Sequence, residues 1–419
     1  MTRSTPRSTG AAPALQRAVT LSRALLRSVA ASVLIASAAL VPNYAPAQQT
    51  LPPSDAASTT APPADGAPAQ EAQPPAATPP TLAPPAFDNL LAATGITATG
   101  YVAASYYYST DDSTYHEFDT AHDTLQIDQA AITLAYQPKE GFGALVNLMA
   151  GEDARFINEQ QNGTHGSFDV TQAFLQYAKG PLTVIGGRFL TLVGAESESP
   201  ALNTNFSRSL VYFAEPITHT GVRATYTATD TVSMIVGVNE GWNTISNSYG
   251  SKTGEFSLQY TPNKIVAFSA QGYVGKDPAY DATRTLIDLI ATYNATASLT
   301  FILNYDWGQQ QQRPVIDADR PSLNWNAVTG YVNYAFDNEW RISLRGEVLD
   351  DQGGFVTGTA ETIEEGTVTL GYAPVKSFEA RLEARYDTSN QATFEYKTPN
   401  TETFDSHQTG FALQGIYKF

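Results

Sequence analysis

The last ten residues of the chain alternate in character. In Gly410-Phe411-Ala412-Leu413-Gln414-Gly415-Ile416-Tyr417-Lys418-Phe419, one face of an extended strand carries Phe411, Leu413, Gly415, Tyr417 and Phe419. The other carries Ala412, Gln414 and Lys418, with Ile416 as the one apolar exception. Successive side chains of a strand point to opposite faces. Such a segment therefore suits a strand with an apolar surrounding on one side and water on the other. The same pattern recurs from about residue 95 onward, so it constrains the whole chain.

The N-terminus is built for export. Residues 1–47 hold Arg3, Arg7, Arg17, Arg23 and Arg27, no acidic residue, an apolar run from Val29 to Val41 and the A-x-A end Ala45-Pro46-Ala47. This is a secretory signal peptide with cleavage expected after Ala47. Its apolar run is about 13 residues, short of the ~20 that a spanning helix needs. Residues 48–94 differ again. Between 48 and 86 there are 11 prolines, no aromatic residue and no Lys or Arg. A stretch this poor in apolar side chains cannot offset its chain entropy, and it is expected to be a disordered periplasmic tether.

From 95 to 419 the turns are of two alternating kinds. Short ones are Gln137–Gly141, Lys179–Pro181, Thr229–Thr231, Thr261–Lys264, Asn294–Thr296, Asp337–Glu339 and Ala373–Lys376, rich in the Pro, Gly, Asn and Asp of tight hairpins. Longer polar ones lie near 110–122, 153–166, 195–216, 241–250, 277–283, 308–322, 351–361 and 388–406. Seven short turns and eight long loops join sixteen strands, with both chain ends on the short-turn side. The strand faces agree. Trp340, Ile342, Leu344 and Val348 oppose Arg341, Ser343, Arg345 and Glu347; Phe378, Ala380, Leu382, Ala384 and Tyr386 oppose Glu379, Arg381, Glu383, Arg385 and Asp387. Aromatics gather near strand ends, as girdles at a membrane interface do. The expected fold is all-β: a transmembrane antiparallel up-and-down β-barrel of about sixteen strands, with short periplasmic turns and long external loops. A soluble sandwich would alternate too, but it would not explain the even spread of apolar residues or the C-terminal Phe.

Charge and chemistry exclude several classes. The chain has 24 basic and 41 acidic residues; without the five signal arginines, 19 basic face 41 acidic, a net of −22. No basic nucleic-acid footprint exists, and with no cysteine there is no disulfide framework. His116, His122, His165, His219 and His407 show no ligand spacing such as H-E-x-x-H, and no G-x-S-x-G elbow accompanies His219. An enzyme, a cofactor and a bound metal are not expected. Asp111-Asp112 and Asp350-Asp351 lack an EF-hand frame and read as exposed, solvated loops.

Several segments between 141 and 243 resemble the OmpL-like beta-barrel porin (porin-2) family. They are Gly151-Glu152-Asp153-Ala154, Phe168–Tyr177, Gly186-Gly187-Arg188-Phe189, Gly194-Ala195-Glu196, Asn205–Ser209, Thr218–Arg223 and Asn239–Asn243. The resemblance implies an outer-membrane porin, with passive diffusion of small hydrophilic solutes or ions through a water-filled lumen. Loop 195–216 follows the fifth strand, the place from which the constriction loop of general porins enters the lumen. Its Glu196 and Glu198 are expected to face a basic wall made by Arg188, Arg223, Arg341, Arg345, Arg381 and Arg385, with Arg208 on the loop and His219 beside it. Opposed charges across a narrow eyelet would orient polar solutes. For the last strand pair, Glu379, Arg381, Glu383, Arg385 and Asp387 are instead expected to pair along the wall. Tyr417 and Phe419 form the insertion signal for the barrel-assembly machinery, the other partners being outer-membrane lipid and further copies in a homo-trimer. A structural or adhesive barrel with a closed lumen is the alternative.

Overall fold

The computed structural model describes residues 91, 93–120, 123–247, 250–277, 282–311, 322–398 and 401–419. The signal peptide 1–47, tether residues 48–90 and His122 lie outside the described residues. Among the described residues eighteen strands follow one another in chain order. Sixteen close into one antiparallel barrel: β1 (Thr97–Ser109), β2 (Thr124–Tyr136), β3 (Gly141–Ala150), β4 (Phe168–Lys179), β5 (Leu182–Leu190), β6 (Thr218–Thr229), β7 (Val232–Asn239), β8 (Thr253–Tyr260), β9 (Val266–Asp277), β10 (Ala282–Thr296), β11 (Leu299–Gln310), β12 (Leu323–Ala335), β13 (Trp340–Asp351), β14 (Glu361–Val375), β15 (Phe378–Ser389) and β18 (His407–Lys418). Each pairs with its neighbours in sequence, apart from β15, which pairs with β18. The remaining two, β16 (Phe394–Thr398) and β17 (Thr401–Asp405), form a hairpin within the last long loop.

β18 closes the barrel against β1, from Tyr101 opposite Lys418 to Ser109 opposite Gly410. Phe419 and Gly100 exchange both backbone hydrogen bonds at 2.9 Å. The Phe419 ring lies over Gly100, where an added Cβ would come within 2.5 Å of it. The terminal aromatic therefore sits on the seam of the cylinder. Closure leaves no edge strand, which the hydrocarbon region would not tolerate.

The expected sidedness holds. Leu382, Leu413, Phe411, Leu344 and Leu175 are exposed on the outer surface, while Gln414, Ser343, Arg381 and Arg385 are buried inside. Exposed aromatics cluster at the short-turn end: Tyr136, Phe142, Tyr177, Tyr226, Tyr260, Phe336, Trp340 and Phe378. Tyr106, Tyr108, Phe168 and Tyr386 mark the other end. Among the described residues no helix is long and apolar enough to cross a membrane.

The long loops carry structure that alternation does not reveal. The second folds as helix α1 (Glu152–Asn162), with Glu152 and Asp153 in its first turn and Gly163 left-handed at its end. Its Ala154 and Ile157 are buried against Met149, Phe118, Tyr212 and Ile217. The third, residues 191–217 and here called L3, carries a 3-10 turn Pro200–Leu202 and the short helix α2 (Leu210–Phe213). Neither of the two aspartate pairs expected to be exposed and solvated is so, since Asp111 and Asp351 are both buried. Asp351 is buried and accepts Phe355, Val356 and Thr357 N–H groups, which shapes the seventh loop.

The topology is tested by single cysteines in this cysteine-free chain. Asn390→Cys, in the last long loop, is expected to react with a membrane-impermeant maleimide on intact cells. Asp230→Cys, in a short turn, should react only after lysis, and the reverse pattern would invert the barrel.

Candidate pore constriction

L3 leaves β5 at Thr191 and turns into the lumen. A backbone in that position has amide and carbonyl groups to satisfy, and the barrel wall satisfies them near mid-strand. Gly194 N donates to Asp288 on β10 at 2.8 Å, and Ala195 N donates to Asn304 on β11 at 2.7 Å. Phe206 and Ser207 N–H groups donate to the Glu383 carboxylate on β15 at 2.6 and 2.9 Å. Leu210 and Val211 N–H groups, at the start of α2, donate to Glu347 on β13 at 2.8 and 3.3 Å.

The wall arginines take the carbonyls. Arg341 donates to Thr204 O at 2.7 Å, Arg345 to Ser207 O at 2.7 Å, Arg381 to Asn203 O at 2.7 Å, and Arg385 to Arg208 O at 2.6 Å. Each also meets carboxylates. Arg341 pairs with Glu379, and Arg345 bonds Glu365 at 3.2 Å and Glu196 of L3 at 3.0 Å. Arg381 bonds Glu379 at 2.9 Å, and Arg385 bonds Asp387 at 2.8 Å. Pairing along β15 is thus present, and the same arginines also hold the loop.

The other expected site residues are placed as follows. Glu196 accepts Ser209 N–H at 2.7 Å as well as the Arg345 bond, so loop acid and wall base touch directly. Glu198 is buried and accepts the Ser197 hydroxyl at 2.8 Å. Burial pushes its carboxyl above the ordinary range, against the pull of that hydrogen bond. Arg208 points back into its own loop. It donates to the carbonyls of Ser197, Phe206 and Glu198 at 2.7 to 2.9 Å, and its guanidinium lies 5.2 Å from the Phe118 ring and 5.8 Å from Tyr212. Arg223 pairs with Glu255 at 2.7 Å over the Phe189 ring. His219 is buried, with its Nδ1 3.0 Å from Gly241 O and its ring 4.5 Å from that of Tyr273, tilted by 33°. Arg188 stands apart, tied to Asp169 at 2.8 Å and to Gln161 of α1 at 2.7 Å. Tyr417 and Phe419 lie on the exposed outer face of the closing strand.

Sequence reasoning did not single out Glu347, Glu383 and Asp288 as acceptors for loop amides. It also missed an apolar layer inside the barrel. Leu286, Trp325, Ala327, Leu349 and Ile363, inward-facing on the outer halves of β10 to β14, pack with Leu210 and Val211 of L3 and Phe394 of the last loop. Trp242, Phe355, Val356 and Tyr115 cover the cluster from other loops. Against L3, lined by Leu190 to Gly194, Glu196 to Glu198, Tyr212 and Ile217, a cavity of about 30 Å³ remains. That is space for about two waters.

With this geometry in view, the comparisons are specific. Residues 95–419 match the family described as "Putative beta-barrel porin-2, OmpL-like". The chain belongs to that family of outer-membrane porins, whose barrels allow passive diffusion. Its fold is shared with the outer membrane channel DcaP of Acinetobacter baumannii, at 13% identity and a TM-score of 0.52 over 77% of this chain and 97% of that one. An anion-selective porin from Comamonas acidovorans aligns at 12% identity and 0.55, over 77% and 99%. OprB of Pseudomonas putida aligns at 13% and 0.54, over 80% and 96%. No curated protein sequence matches the chain.

Two measurements check these buried charges. Arg345→Met leaves Glu196 and Glu365 facing a vanished partner. Breaking a buried pair this way costs about 3–5 kcal/mol, and urea unfolding in detergent should read a loss of that size. The second concerns Glu117 in the first loop, buried beside Gln160 of α1. Burial pushes its carboxyl up to about 8. The folded state therefore holds the proton more tightly than the unfolded one, so stability falls as pH rises from the ordinary carboxylate range through 8. Glu117→Gln should flatten the pH dependence of the melting temperature in that window; an unchanged slope would remove Glu117 as its source.

Proposed function

We propose that this barrel passes small hydrophilic solutes or ions and that L3 sets its narrowest section. One observation carries the reading: a polar, charged inner wall crossed at mid-height by a loop that buried arginines and carboxylates hold in place. In this reading Arg341, Arg345, Arg381 and Arg385 with Glu196 and Glu198 define the constriction. Arg223 and His219 form the wall where L3 returns, and Arg208 rigidifies the loop. Solutes are sorted by size first and charge second. No catalytic step is part of the function.

We further assign residues 1–47 to export, 48–94 to a periplasmic tether and Tyr417 with Phe419 to recognition by the barrel-assembly machinery. A homo-trimer in the outer-membrane lipid fits the family; a structure of OmpT of Vibrio cholerae that shares the fold is described as a trimer form. A second reading, a structural or adhesive barrel with a closed lumen, is favoured by the apolar layer above L3.

Single-channel recording of the purified barrel in a planar bilayer separates the two. Discrete conductance steps are expected, and their reversal potential under a KCl gradient gives the charge preference. Glu383→Ala, which frees the Phe206 and Ser207 amides, should raise the step size. A folded barrel that stays silent with and without the substitution would establish the closed reading.

A further inference from the structure

The charges inside the barrel are not balanced evenly. On β13 to β15, Glu347, Glu365, Glu379 and Asp387 are interleaved with Arg345, Arg381 and Arg385. On β10 and β11 they are not. Asp288 and Asp306 are directly opposite one another in the ladder, where like charges destabilise a sheet. Both are 0% exposed. Glu215, 5% exposed, brings a third carboxylate from L3. Oxygens of all three lie within 4.8 Å of one another. Among the described residues none of the three has an ion-pair partner.

The pattern of hydrogen bonds around them is informative. Asp288 accepts Gly194 N, Gln271 Nε2 and Asn304 Nδ2, each at 2.7 to 2.8 Å. Asn304 also donates to Asp306 Oδ1 at 3.2 Å, which orients that carboxylate. Asp306 Oδ2 and both oxygens of Glu215 are buried with no hydrogen-bond partner. Gly194 makes room for them: its φ is +91°, and an added Cβ would lie 2.2 Å from Glu215 Oε2.

The geometry points to a divalent-cation site, suited to calcium, held by Glu215, Asp288 and Asp306, which joins the root of L3 to the wall at β10 and β11. Calcium takes oxygen ligands at about 2.3–2.6 Å and tolerates irregular arrangements. Oxygens within 4.8 Å of one another can therefore share one ion. The ion offsets three carboxylates that are buried together with no cationic partner among the described residues. Asn304 and Gln271 act as the surrounding shell that orients the ligands. The site is independent of whether the lumen conducts.

The test is calcium titration of the full folded chain in detergent, freed of lipopolysaccharide and stripped with EDTA, followed by calorimetry and by melting temperature. One equivalent of calcium is expected to bind and to raise the melting temperature. Glu215→Gln and the near-isosteric Asp306→Asn should each weaken binding by roughly tenfold or more, as loss of a charged ligand does. They should also reverse sign with condition, melting higher than the unsubstituted chain in EDTA and lower in calcium. If calcium produces neither heat nor a thermal shift in the unsubstituted chain, the carboxylates hold protons and the proposal fails. It fails equally if binding survives both substitutions. A barrel that is silent in the bilayer but binds calcium would overturn the channel reading and leave this one standing.

Discussion

The arrangement inside the barrel depends on a backbone loop being made compatible with a lumen. Buried amides and carbonyls must find partners, and neutral side chains could have supplied them. Here the partners are charged. Glu347 and Glu383 accept L3 amides, and Arg341, Arg345, Arg381 and Arg385 donate to L3 carbonyls. Hydrogen bonds to charged groups contribute about 1.5–3 kcal/mol each, and they are directional. Arg345, Arg381 and Arg385 are buried and would be costly alone; carboxylates on the same or the next strand offset that cost. The alternating signs along β15 therefore serve twice, pairing within the wall and gripping the loop.

This dual use explains how far the sequence could be read. The parity of Glu379, Arg381, Glu383, Arg385 and Asp387 placed them inside, and the short Pro-, Gly- and Asn-containing turns gave sixteen strands. The arginines' partners were a different matter. Sequence reasoning set Glu196 and Glu198 across from a basic wall because acidic side chains are visible partners for arginine. Each of the four arginines also meets a carbonyl oxygen of the loop, from Asn203, Thr204, Ser207 or Arg208. Every residue carries such an oxygen, so no residue type announces it. Helix α1 was more accessible. Glu152 and Asp153 at its start and Gly163 at its end are ordinary helix signals, overshadowed by the polar composition of the loop.

The apolar layer departs from the barrel rule for a physical reason. Inward residues are polar when the lumen is wet. Trp325, Leu349 and Ile363 share the inward parity of Thr329, Glu347 and Glu365, yet they are fully buried among loop side chains. Toward the outer end these positions face protein, so the ordinary preference of a core applies. A parity argument assigns the face correctly and the surroundings incorrectly.

Two different forces thus act on L3 at two heights. Charge-assisted bonds fix its middle, Asn203 to Val211, against β13 to β15. Apolar packing covers it from above through Leu210 and Val211. Both also reach the roots of the loop, where Gly194 donates to Asp288 and Leu192, Val193 and Ala214 join the apolar cluster, but there Glu215 also lies against Asp288 and Asp306. The middle is held by many coupled contacts, each losing its partner if another lets go. The roots rest on like charges. Those like charges work against the hydrogen bonds that tie Gly194 and Ala195 to β10 and β11, so whatever neutralises Glu215, Asp288 and Asp306 strengthens the hold of the loop's root on the wall.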